Sequence, residues 1–85
     1  MKQTEYIYRV TFTEPPIDGD ARSDFYFYSL LAIYETFKPE QIGCRVEHLW
    51  NIGVSKGTVY TNRRETCTVQ REPIARKHHV NLLQE

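Results

Sequence analysis

Tyr6, Tyr8, Val10 and Phe12 alternate with Ile7, Arg9, Thr11 and Thr13, and no other stretch constrains the fold of this chain as much. Alternation in β-branched and aromatic residues predicts a half-buried strand, because successive side chains of a strand point to opposite faces. The strand must end at the loop Glu14 to Asp20, where Pro15 and Pro16 remove two backbone donors and Asp18-Gly19 favours a turn. Phe25-Tyr26-Phe27-Tyr28 then has the composition of a second strand that pairs with the first.

Leu30, Ile33, Tyr34 and Phe37 follow at the i, i+3, i+4, i+7 spacing of a helix. We expect the second strand to run from Asp24 to about Tyr28, and Ser29 to cap a short helix ending near Phe37. One continuous helix from Ser23 is the alternative. Pro39 suits the first position of another helix, where its missing N–H costs nothing, and Glu40 complements the positive end of the dipole. Ile42, Val46, Leu49 and Trp50 fall on one face of that helix, and Asn51 with Gly53 supplies its stop. Gly43 weakens its first turn by about 1 kcal/mol relative to alanine.

Thr58 to Thr61 and Thr66 to Val69 are β-branched or aromatic apart from Cys67, with Asn62-Arg63-Arg64 polar between them, which predicts a β-hairpin. Pro73 should break its second strand or place it at a sheet edge. The expected fold is α+β: a small single domain with one antiparallel sheet and two short helices on one face, roughly β-β-α-α-β-β. Residues 1–77 form that domain, and residues 78–85, with His78 and His79, are expected to be a mobile tail.

At 85 residues, such a domain buries only about 60 to 65% of the surface its unfolded chain exposes. A roomy enclosed active site is not expected. No apolar run approaches the roughly 18 residues of a membrane helix, and Glu5 and Arg9 interrupt the place where a signal peptide needs an apolar stretch. The sequence therefore predicts a cytoplasmic protein with no membrane partner, in which Cys44 and Cys67 are free thiols.

The formal net charge is zero, but the charges are uneven. Met1 to Glu40 holds four basic and seven acidic residues, whereas Gln41 to Lys77 holds seven basic and three acidic. A chain of this kind can present a basic face despite its neutrality.

Ile52-Gly53-Val54-Ser55-Lys56-Gly57-Thr58-Val59-Tyr60 follows the amphipathic stretch Glu40 to Trp50. The combination resembles the turn and second helix of helix-turn-helix DNA-binding domains over about a quarter of the chain. Gly53 matches the turn glycine, Ile52 and Val54 the flanking apolar positions, and Val59 an inward position of the second helix. The resemblance implies that Ser55, Lys56, Thr58, Tyr60, Arg63 and Arg64 face the major groove or its phosphates. Leu49 stands where the family carries a small residue, Asn62 where it carries an apolar one, and Gly57 falls inside the second helix. Propensity favours a hairpin over a helix for this segment. In the hairpin version a helix pair is followed by a basic wing, with Arg45 and His48 on the exposed side of the second helix and Arg63 and Arg64 at the wing tip.

Other constellations are weaker. Cys44 and His48 share one side of a helix and could join Cys67 with His78 or His79 around zinc, but no Cys-x2-Cys or His-x3-His pair is present. Cys67 with His48 or His79 as base would be a nucleophile only inside a pocket that the sequence does not supply. Asp18, Asp20 and Asp24 lack the alternation and closing glutamate of a calcium loop. No cofactor or catalytic residue is expected.

Six tyrosines exceed what a core this small can take in with every hydroxyl satisfied. Tyr6, Tyr8, Tyr26 and Tyr28, if exposed, would stack on bases of single-stranded nucleic acid or anchor a protein partner or a homodimer, but cross-strand aromatic pairs that only stabilise the sheet are the more usual role of aromatics in strands. The sequence thus predicts non-enzymatic binding with duplex DNA as the leading ligand, through Arg45, His48, Lys56, Thr58, Tyr60, Arg63, Arg64 and Arg71. A protein-interaction or dimerisation module built on the four tyrosines is the alternative.

Overall fold

A computed structural model describes residues 5–74 of the chain. The expected tail 78–85, and with it Arg76, Lys77, His78 and His79, lies outside the described residues. The alternating N-terminal run forms β1 (Glu5–Phe12). It pairs on one side with β2 (Asp24–Phe27) and on the other, along its whole length, with β4 (Cys67–Ile74). β3 (Tyr60–Thr61) adds to the far side of β4, giving a four-stranded antiparallel sheet in the order β2-β1-β4-β3. The expected β-β-α-α-β-β arrangement is therefore present.

Helices cover one face of the sheet. Val10, Phe12, Phe25, Tyr60, Cys67 and Val69 are buried from the sheet side, against Leu30, Ile33, Phe37, Ile42, Leu49 and Val54 from the helical side. Phe37 is the hub, its ring centroid 5.0 Å from Phe12 and 4.9 Å from Phe25 in tilted and edge-on contacts. Helix α1 (Leu30–Thr36) begins where the spacing predicted, with the Ser29 hydroxyl accepting from Ala32 N–H at 3.1 Å.

The second expected helix is two. Helix α2 (Pro39–Ile42) starts on Pro39 and stops at Gly43, whose φ of 106° is left-handed, and α3 (Val46–Ile52) starts afresh after Arg45. Ile42 and Leu49 are fully buried as expected, but Trp50, expected on the same inward face, is 50% exposed, because α3 turns the Val46, Leu49 and Ile52 side to the core and Trp50 stands about 100° round the helix from Leu49. A 3-10 turn (Val54–Lys56) follows Gly53.

Pro73 neither breaks β4 nor lies outside it, and the ladder explains why. Thr13 N–H donates to Thr66 C=O, and hydrogen-bonded pairs alternate with unbonded ones in an antiparallel ladder. Thr11–Thr68, Arg9–Gln70 and Ile7–Glu72 are then the bonded pairs, so Tyr6–Pro73 is an unbonded one. The missing donor of Pro73 points away from β1, to the side of β4 where β3 pairs only with Thr68 and Val69.

The opposite face of the sheet is polar. Thr61, Thr68, Thr11 and Asp24 form a row across all four strands. Thr11 Oγ1 donates to Asp24 Oδ1 at 2.8 Å, and the Thr61 and Thr68 hydroxyls lie 3.3 Å apart. Arg9 Nε sits 3.1 Å from Glu72 Oε2 but does not aim its N–H at that oxygen, which makes this an ion pair without a hydrogen bond. Among the described residues no helix is long and apolar enough to cross a membrane.

Candidate nucleic-acid interface

The hairpin between β3 and β4 is shaped by one side chain. Asn62 is 9% exposed, and its Oδ1 accepts from the N–H of Thr66 at 2.8 Å and of Cys67 at 3.3 Å, while Nδ2 donates to Thr66 Oγ1 at 2.9 Å. An amide of this size bridges a turn that backbone bonds alone would leave loose. Glu65 N–H closes the turn on Asn62 C=O, with Glu65 itself at a left-handed φ of 59°. Arg63 and Arg64 are thereby held exposed at the tip.

The α2–α3 corner rests against this hairpin. A Cβ on Gly43 would lie 2.6 Å from Asn62 Cβ and 2.8 Å from the Tyr60 hydroxyl, so only glycine lets the two segments approach. Glu40, Gly43, Asn62, Arg63, Arg64 and Thr66 line a shared open cleft of about 480 Å³. Arg45 starts α3 two residues beyond Gly43, and His48 meets the Tyr60 ring edge-on at 5.8 Å. Among the described residues Arg45, Lys56, Arg63 and Arg64 take part in no ion pair, although Glu40 shares the cleft.

Not every expected residue belongs to this group. Tyr60 is 8% exposed and belongs to the core, because its segment is a strand facing the helices rather than a recognition helix. The second helix of the helix-turn-helix pattern is absent; Val54–Lys56 is a 3-10 turn and Tyr60–Thr61 is β3. Arg71 is committed elsewhere, its Nη1 donating to Ser55 C=O at 2.8 Å and its guanidinium lying 3.8 Å from the Tyr6 ring centroid. Lys56 and Thr58 are exposed but follow the C-terminal end of α3. The seven residues of α3, about 10 Å of helix, and the left-handed Gly53 separate them from the Arg45 end.

The four tyrosines do not share a surface. Tyr6 and Tyr8 lie on the helix-covered face of β1, Tyr6 beneath Arg71 and Tyr8 half buried against the core. Tyr26 faces the other side of the sheet and is 53% exposed, and Tyr28 beyond β2 is exposed as well.

Beneath the cleft sits an uncharged network. Tyr34 O–H donates to Cys44 C=O at 2.8 Å. Burial, with Cys44 next, pushes the Tyr34 and Tyr60 phenols above their ordinary range, and burial pushes the Cys67 thiol up to about 12. A thiol held protonated in this way is a poor nucleophile. Among the described residues no three of the His, Cys, Asp and Glu side chains gather to hold a metal.

Sequence reasoning missed two contributors. Asn62 was visible only as a polar residue between strands, and Gly43 only as a weak helix position; neither pattern shows what a residue touches in the fold. Comparison of the chain with protein-family models, curated proteins and solved structures gives no significant match.

Proposed function

We propose that the protein is a small non-enzymatic nucleic-acid-binding domain that takes duplex DNA, docking the Arg45 end of α3 and the Arg63–Arg64 hairpin tip on the phosphate backbone. One observation carries this reading: a buried asparagine and a glycine corner hold two arginines exposed, free of ion pairs among the described residues, beside the N-terminal end of a half-exposed helix. Side chains so placed contact phosphates and position a domain without reading sequence. Lys56, exposed in the 3-10 turn beyond the other end of α3, adds a further phosphate contact. The arrangement is the winged form of the helix-turn-helix resemblance, with the hairpin as wing.

Titration with a mixed-sequence duplex at several salt concentrations tests it. With Arg45, Lys56, Arg63 and Arg64 on phosphates, log K should fall against log salt with a slope of about −3 to −4, and Arg63→Ala with Arg64→Ala should flatten it by about 2. No binding at low salt, or an unchanged slope in the double variant, refutes the proposal.

The alternative, a protein-interaction surface on the tyrosines, is favoured by the exposure of Tyr26 and Tyr28 alone. Binding of that kind responds little to salt.

A further inference from the structure

One bond fixes which backbone groups of β2 face outward. Phe12 N–H donates to Ser23 C=O at 2.8 Å, and these residues stand opposite each other one step beyond the Thr11–Asp24 pair. By the alternation of an antiparallel ladder, Val10–Phe25 and Tyr8–Phe27 are bonded pairs, and the N–H and C=O of Asp24 and Tyr26 point away from β1. Among the described residues no strand takes them. β2 also lacks the lysine or proline that commonly protects an edge. Beside it runs a groove of about 430 Å³ whose lining includes Ile17, Arg22, Phe27 and Thr36.

We propose that this edge pairs with β2 of a second copy of the chain, antiparallel, with Asp24 opposite Tyr26 of the second copy, so that two sheets continue as one. Only outward-pointing residues can form the bonded pairs, which limits a two-fold arrangement to three registers. Asp24 opposite Asp24 sets like charges face to face. Tyr26 opposite Tyr26 leaves Asp24 facing Tyr28, which lies beyond the strand. Asp24 opposite Tyr26 engages both outward residues of each copy in four backbone hydrogen bonds. It also brings a phenol O–H beside a carboxylate whose one hydrogen bond among the described residues comes from Thr11. The chain has zero formal net charge, so two copies do not repel at long range. An edge of four residues makes the dimer weak and exchanging. β2 and β3 are the opposite edges of the sheet, so this pairing is independent of the hairpin and of the nucleic-acid reading.

Sedimentation equilibrium on the full chain over a concentration series tests the proposal, with circular dichroism confirming that each variant folds. The chain should show a reversible dimer. Tyr26→Pro removes only an outward N–H, so it leaves the β1–β2 ladder intact and should weaken the dimer about tenfold or more through two lost bonds. Tyr26→Asp places a carboxylate opposite Asp24 and should abolish dimerisation, and adding Asp24→Lys should restore it, which a folding defect would not do. A wild-type chain that stays monomeric throughout the series, or a dimer indifferent to both Tyr26→Pro and Tyr26→Asp, overturns it.

Discussion

Gly43 and Asn62 touch so closely that any larger residue at position 43 would have to push the α2–α3 corner off the hairpin. A β-carbon there would come within 2.6 Å of Asn62 Cβ, and the backbone φ of 106° is already one that side chains avoid. Gly43→Ala therefore combines left-handed strain with a steric clash, and should cost about 2 to 4 kcal/mol in denaturant unfolding. The same variant should weaken DNA binding more than its unfolded fraction accounts for, because it parts the α2–α3 corner from the hairpin. A loss below about 0.5 kcal/mol would show that the two segments are not in this contact.

Glu65 stands in the left-handed region at φ 59° without being glycine or asparagine. Glu65→Gly relieves that strain at an exposed turn position, and should raise stability by up to about 1 kcal/mol. It also removes a carboxylate one residue from Arg64, so duplex affinity at low salt should rise with it. A Glu65→Gly protein less stable than wild type would contradict the turn geometry.

How far the sequence reveals this fold differs from element to element. The strands and α1 were legible because local signals agreed with tertiary demand: alternation in β1, aromatic alternation in β2, and Ser29 ahead of a helical spacing. Trp50 was misplaced because the buried stripe of α3 is narrow: Val46 and Ile52 flank Leu49 on the core side, and Trp50, about 100° round the helix from Leu49, falls outside it. Tyr60 was misassigned for a different reason. Its role depended on whether Ser55 to Arg64 were helix or strand, and the strand turns Tyr60 towards the helices. Arg71 looked like any other basic residue, since nothing local shows that Ser55 C=O and the Tyr6 ring will lie beside it.

Arg71 should separate structural from ligand-facing arginines. Its guanidinium bridges β4 to the 3-10 turn through Ser55 C=O and covers Tyr6. Arg71→Lys keeps the charge but loses the planar stack and the directed bond, and should cost about 1 kcal/mol of stability. Arg71→Ala should leave the salt slope of DNA binding unchanged, in contrast to Arg63→Ala with Arg64→Ala. A slope that falls in Arg71→Ala as it does in the hairpin variants would mean that Arg71 also reaches phosphate.

The buried network predicts weakness in alkali. Burial first, then the neighbouring Cys44, holds the Cys67 thiol protonated up to about 12, and the Tyr34 and Tyr60 phenols are raised in the same direction. In the unfolded chain a cysteine thiol ionises near 8.5. Between those values the unfolded state gives up its proton while the native state keeps it, so the unfolded state is the one favoured as pH rises. The stability contributed by the protonated thiol is thus fully present below about pH 8.5 and is lost progressively towards about pH 12. The thermal midpoint should fall between about pH 8 and pH 11 at constant ionic strength, and Cys67→Ala, though less stable at neutral pH through its lost packing, should fall less steeply over the same interval. A midpoint that stays level in the wild type, or declines equally in both proteins, would show that Cys67 ionises as readily in the native fold as in the unfolded chain.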